Sequence, residues 1–169
     1  IRAMRETSEK IDRALIGGAH ALGAGITIDT IPGQLPMQCS NVMNEILKEN
    51  ALQLIDEENI VEYEHFDAST DLGDLSLLMP VIHPFVGGVR GNLHSTDFHV
   101  ENNNTAILLP AKLMAMTVID LLYDQGKKGQ EVIRKYKPFF TSRESYLTFI
   151  ESSFETKSKS LGTIMRFDS

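Results

Sequence analysis

The chain has 169 residues, a formal charge of −7, 42% hydrophobic and 23% charged residues. That balance describes a soluble globular protein of one domain, or one and a half small ones, with enough apolar material for a real core. The acidic surplus and the absence of a basic run exclude a phosphate-tracking nucleic-acid surface, and no apolar stretch reaches the ~18–20 residues of a membrane span.

The single cysteine, Cys39, cannot form an intramolecular disulfide, which suits a reducing, cytoplasmic compartment. Its neighbours Pro36-Met37-Gln38 and Ser40-Asn41 carry no nucleophile signature, so it reads as an ordinary thiol. The N-terminus is charged from Arg2 and shows no signal-peptide pattern.

In chain order, Ile1-Arg2-Ala3 reads as the end of a strand running into a helix, and a start in mid-element suggests a piece of a longer protein. Apolar residues at Met4, Ile11, Ala14, Leu15, Ala19 and Leu22 predict a helix over 5–24. Gly17-Gly18 within it weakens the helix and would admit a close backbone neighbour. Ile26 to Ile31 alternates apolar and polar as a half-buried strand does. Pro32-Gly33 and Pro36 mark a hinge, after which Ser40 can cap a helix over 41–55. Ile60 to Phe66 alternates again, and Met79 to Val86 reads as a short apolar strand broken by proline.

The strongest helical pattern runs from Asn104 to about Asp124 and is apolar around much of its circumference, the mark of a buried helix. Pro110 requires that this helix start or kink near it, and Gly126 ends it. Shorter helices are predicted over 130–136 and 142–154, the latter without a full capping box, and Thr156 to Ser160 reads as mobile. Strands alternating with helices give an α/β fold class. The order suggests two domains, 1–34 closing a small α+β unit and 35–169 closing a larger α/β unit.

Two stretches can carry chemistry. Ser69-Thr70-Asp71-Leu72-Gly73-Asp74-Leu75-Ser76 has two carboxylates three residues apart. It reads either as a strand-to-helix turn capped by Asp71 or Ser69, or as acids that orient a ligand or a metal-bound histidine. Gly91 to Val100 holds His94 and His99, whose spacing in a loop sets no tetrahedral geometry by itself. A lone histidine is more often structural than a ligand. His20 reads as a packing or capping residue, His65 as solvent-facing and His83 as a satisfied core histidine. Gly87-Gly88-Val89-Arg90-Gly91 can offer backbone N–H groups to an anion, with a flexible loop as the default.

The order of these pieces resembles a known family. The Asp71–Asp74 stretch, then Met79 to Gly88, then a Gly-x-x-His loop ending at His94, then Pro110-Ala111-Lys112 and Ala115 to Leu122, is similar to the C-terminal region of metal-dependent amidohydrolases. These include aminoacylase, carboxypeptidase G and aminobenzoyl-glutamate hydrolase, the last being the nearest branch. The resemblance spans about Ile1 to Leu122 and fades beyond. It implies that residues 1–34 are the last helix and strand of an inserted α+β dimerisation domain. It implies that 35–169 are the C-terminal part of a metallopeptidase-like catalytic domain, a mixed sheet flanked by helices. It further implies two divalent metals, zinc or manganese, in the intact enzyme, with His94 as a metal ligand. Asp71, Asp74, Asn44, Gly87, Gly88 and His83 would then orient the site or line the cleft. The implied partners are an N-acyl amino acid or peptide-like substrate and a second subunit, with neither nucleic acid nor membrane.

The departures from the family are equally informative. Its other ligands, bridging group and catalytic Glu precede the inserted domain, and this chain contains no such region. The chain therefore reads as a C-terminal fragment without catalytic residues of its own, expected to be inactive and without tightly bound metal. The rival reading is a non-enzymatic dimerisation or ligand-binding module.

Overall fold

In the computed structural model, residues 1–62 and 69–160 are described. They combine helices with two small antiparallel sheets. The chain divides into two compact units, Ile1–Pro36 with Phe140–Ser169, and Met37–Phe139. The second unit thus ends at Phe139, and the residues from Phe140 onward group with the N-terminal segment.

In the first unit, helix α1 (Arg2–Ala21) takes in Arg2 and Ala3, which read as the end of a strand in the sequence. Its apolar Ile11 and Leu15 are exposed, and its one buried residue is Asp12, at 7%. Asp12 is buried because Lys157 reaches it, Nζ donating to Oδ2 at 2.6 Å. Gly17 and Gly18 face open space, so no backbone makes the close approach that the Gly pair allows.

Strand β1 (Ile26–Thr30) pairs antiparallel with a strand at the other end of the chain, β4 (Glu155–Lys159), from Ile26↔Lys159 to Thr30↔Glu155. The segment read as mobile is therefore a paired strand. Sequence periodicity there is weak because both of its faces are polar, and its hold on the fold is also polar. Thr156 Oγ1 donates to Asp29 Oδ1 at 2.7 Å, the Thr27 and Ser158 hydroxyls lie 3.1 Å apart, and Lys157 binds Asp12 and Glu155.

Helix α5 (Arg143–Glu151) is numbered in chain order after three helices of the second unit described next. It opens on a complete capping box: Ser145 N–H donates to Ser142 Oγ at 3.1 Å, and Ser142 N–H donates to Ser145 Oγ at 3.2 Å. A serine at the third helical position supplies the reciprocal acceptor usually provided by Glu or Gln, which the sequence reading did not credit. Phe140 stacks near Tyr146 and Phe149, with ring centroids 5.5 and 5.2 Å apart, and the Arg5 guanidinium lies 4.7 Å over the Phe149 ring.

The second unit contains α2 (Asn41–Ala51), a 3₁₀ turn at Glu57–Asn59, α3 (Leu72–Ser76), a hairpin of β2 (Val89–Arg90) and β3 (His99–Val100), and α4 (Leu109–Lys135). Ser40 caps α2 as expected, Oγ accepting from Met43 N at 3.4 Å. The helix ends at Ala51, and turn bonds carry the chain on through Ile55. Of the strand expected over 60–66, residues 63–68 lie outside the described residues, and 60–62 are irregular.

Residues 79–86 form no strand. Pro80 and Pro84 remove two N–H donors from a short segment, which defeats a ladder. One backbone bond from Ser40 N to Val81 O, at 2.9 Å, anchors the segment instead. The larger mixed sheet expected from the sequence is therefore not formed among the described residues, whose sheets have two strands each.

A π-helical turn at Asn104–Leu108 leads into α4. This is how the helical pattern passes Pro110, whose ring cannot donate and disfavours an ordinary α-turn before it. Tyr123 to Gly126 leave helical geometry, with Asp124, Gln125 and Gly126 at positive φ, so α4 is two helices joined by a tight bend. The core gathers where α2 meets α4, around buried Ile46, Ala51, Leu113 and Val132, with Leu77 and Val81 also buried. Full burial of each large apolar side chain is worth about 1.5–3 kcal/mol.

A polar pin accompanies these contacts. Asn50, 3% exposed, donates from Nδ2 to Asp120 Oδ2 at 3.0 Å and to Thr117 Oγ1 at 3.5 Å. Lys128 closes on Asp120 and Glu49 at 3.5 and 3.8 Å. The helical run Asn104–Lys135 contains an 18-residue stretch apolar enough, by length and composition, to cross a membrane. That corrects the expectation that no apolar stretch reaches the length of a membrane span. Only 11% of that stretch is buried, so this helix is not the buried one that its apolar pattern predicts.

Candidate functional site

The candidate residues lie in the second unit, and the β2–β3 hairpin positions the first of them. Val89 pairs with Val100 and Arg90 with His99. Below that ladder the Gly88 carbonyl accepts from both Glu101 N and Asn102 N at 2.9 Å. Arg90 Nη1 donates to Glu101 Oε1 at 2.7 Å, an exposed pair that adds little energy but fixes the register. Asn102 then starts the next helix, its Oδ1 accepting from Asn104 N at 3.0 Å and Thr105 N at 3.2 Å. Asn102 was passed over in the sequence as one of a polar run. An Asn followed two residues later by a helical pattern is the signal that identifies it.

Two glycines are required for this geometry. Gly88 has φ +86, and a Cβ there would lie 2.7 Å from Ala106 N and 2.8 Å from Asn102 O. Gly91 has φ +91, and a Cβ there would lie 2.5 Å from Asp97 O. Gly87, by contrast, has room: a Cβ would meet only Thr105 Cγ2 at 3.8 Å.

Between Gly91 and His99 the loop is a pair of turns, Ser95 N to Asn92 O and Phe98 N to Ser95 O, both 3.2 Å. His94 sits at the first turn with φ +63, a left-handed conformation that is uncommon for a residue with a side chain. Such a conformation costs of order 1–3 kcal/mol and persists only where the surroundings impose it. The His94 side chain is exposed. His99 is structural: its Nδ1 lies 2.7 Å from Asp97 O, a bond that closes the loop on itself.

The remaining candidates lie elsewhere in the unit. Asp71 occupies the N-cap position of α3 but makes no capping bond with its side chain; Thr70 Oγ1 accepts from Leu72 N at 3.4 Å instead. Asp74 is half-buried in the first turn of the same helix. Asn44 is exposed on α2. His83 is half-buried and its ring lies 5.0 Å from that of Phe85.

Ser76 closes the Asp71–Ser76 stretch and is fully buried. Its hydroxyl donates to Gly73 O at 2.6 Å and accepts from Gln38 N at 2.8 Å. It ties α3 to the entry of α2, a role its place in a polar run did not reveal.

Among the described residues, no three His, Cys, Asp or Glu side chains come together in a group that could hold a metal ion. His94, Asp71 and Asp74 therefore do not form such a group, and the described residues do not fit a complete metal site. What the hairpin offers is one exposed imidazole on a braced loop. His65, Glu64 and Asp67 lie outside the described residues.

The unit also has an open groove of about 550 Å³ containing none of the candidate residues. Met43 and Leu78 to Pro80 line one part, and Leu121, Leu122, Val132 and Ile133 from the two halves of α4 line another. Tyr136 and Pro138 complete it, with burial pushing the Tyr136 phenol above its ordinary pKa and nearby Cys39 adding to the shift. Tyr136 Oη donates to Gln38 O at 3.5 Å. No protein-family model, curated protein or solved structure matches the chain.

Proposed function

We propose that this chain supplies the C-terminal portion of a metal-dependent amidohydrolase that cleaves the amide bond of an N-acyl amino acid or small peptide-like substrate. The observation that carries the reading is His94. An exposed imidazole is held in a left-handed conformation at the tip of a hairpin whose base requires Gly88 and Gly91. Strain maintained by a braced loop is a frequent property of functional side chains. It coincides here with the one residue that the resemblance assigns to a metal.

In this reading His94 provides one ligand, and Asp71, Asp74 and Asn44 orient substrate or neighbouring groups. Gly87, Gly88 and His83 shape the adjoining wall. Zinc or manganese, once bound, would supply an acidified water. The other ligands and the catalytic Glu lie outside these 169 residues, so the chain alone neither turns over nor holds metal tightly. The enzyme would be a cytoplasmic homodimer.

The encoded sequence upstream of Ile1 is the first test, because it must contain His, Asp and Glu ligands. In the protein carrying that region, His94→Ala should remove one metal equivalent. It should also cost more activity than the ~10–100-fold lost when a ligand is merely misoriented. Unchanged metal content and activity would overturn the assignment, and tight stoichiometric zinc in the 169-residue chain would overturn the fragment reading.

A further inference from the structure

The bend in α4 passes through three consecutive left-handed residues. Asp124, Gln125 and Gly126 have φ of +49, +57 and +72. Glycine adopts this conformation freely. A residue with a side chain is held there against a bias of roughly 5- to 30-fold, and such residues occur singly, not in runs. Gly126 is therefore unstrained, whereas Asp124 and Gln125 are strained side by side.

Strained backbone persists only where its surroundings impose it. Gln130 Nε2 donates to Gln125 O at 3.2 Å. Lys128 reaches back across the bend to Asp120 and Glu49 at 3.5 and 3.8 Å, pairs open enough to solvent to be weak. Gly129 lies so near the first half of the helix that a Cβ there would stand 2.8 Å from the Leu121 carbonyl oxygen. Beyond the bend, Val132 is the one buried side chain of residues 127–135, and Ile133 is 69% exposed. Before it, Leu113 and Thr117 are each 5% exposed. The second half of α4 is thus held more lightly than the first, and it hangs on a strained turn.

The same turn sets the width of the apolar groove. Leu121 and Leu122 line the groove from before the bend, and Gly129, Val132 and Ile133 line it from after. Relaxing residues 124–126 moves these walls relative to each other and withdraws Val132 from the core.

We propose that residues 123–126 are a strained hinge. Residues 127–135 swing away from Leu121 while residues 109–122 stay seated, and the groove widens in a local step short of global unfolding. The groove contains none of the candidate site residues, so the device stands apart from the amidohydrolase reading.

Native-state hydrogen exchange of the 169-residue chain, read amide by amide, tests it. Amides of residues 131–135 should share one opening, about tenfold or more as frequent as that of residues 113–121. Asp124→Gly with Gln125→Gly removes the left-handed bias and should slow the shared opening about tenfold. Gly129→Ala sets a Cβ against the Leu121 carbonyl and should speed the opening about tenfold or more. Residues 113–121 should exchange in both variants as in the parent. The sign of the first effect is decisive: two added glycines speed exchange in a segment that merely frays, and slow it in one held on a strained turn. Should Gly129→Ala not fold, the double-glycine variant decides alone. Faster exchange in the double-glycine variant, an unchanged rate in a folded Gly129→Ala, or one common rate across residues 113–135 would each overturn the proposal.

Discussion

The two units of this chain reach order by different means. In the second, α2 and α4 meet over buried Ile46, Leu113 and Val132, with Asn50 pinned to Thr117 and Asp120. In the first, α1 leaves Ile11 and Leu15 exposed and buries Asp12, and the strand that pairs with β1 has two polar faces. Close-packed apolar side chains stabilise roughly in proportion to the area removed from water, without directional demand. Polar ties contribute less each, but they fix which strand lies where.

The largest effect should come from the α2–α4 contact. Leu113→Ala removes a side chain that is 5% exposed and should destabilise the second unit by about 2–5 kcal/mol. Denaturant unfolding checks the size, and hydrogen exchange should show faster opening of α2 and α4. A cost below that of any single substitution in the first unit would break the comparison.

Next in size is the hairpin. Gly88→Ala places a Cβ within 2.8 Å of backbone on both sides at a positive φ, and should cost about 1–3 kcal/mol. The control is Gly87→Ala, which meets only one methyl group at 3.8 Å and should be close to neutral. Equal behaviour of the two variants would show that the loop base is not braced as described.

These residues also show how far the sequence could be read. Helices were legible from apolar spacing, reinforced by a cap for α2 behind Ser40 and unaided by one for the long pattern of α4. The bend after Leu122 was legible from Gly126, but the left-handed Asp124 and Gln125 were not, because neither residue type requires that conformation. Strand β4 was hidden because Glu155 to Lys159 has no apolar period. Its place depends on Asp12 and Asp29, more than a hundred residues away. Residues 79–86 misled in the opposite direction: their composition is that of a strand, and two prolines prevent the pairing. In the candidate site, His94 was singled out by the family resemblance and not by spacing, and the bracing by Asn102 and Gly88 is a matter of contacts that spacing does not record.

The smallest effect expected is also the most specific to the first unit. Lys157 is held by Asp12 and Glu155, and hydrogen bonds to these carboxylates push its pKa from 10.5 up to about 12. A folded-state pKa above the unfolded one means that the pair contributes fully below the unfolded value, and that the contribution is lost as pH rises through the folded value. Lys157→Met should therefore lower the thermal midpoint modestly, by an amount that stays constant from neutral pH to about 10 and shrinks between 10.5 and 12. Added salt should reduce it further, since Lys157 is partly open to solvent. Midpoints of both proteins measured across that range decide the matter. A difference that instead vanishes near neutral pH would show that β4 is held by its backbone ladder with β1 and not by the buried Asp12.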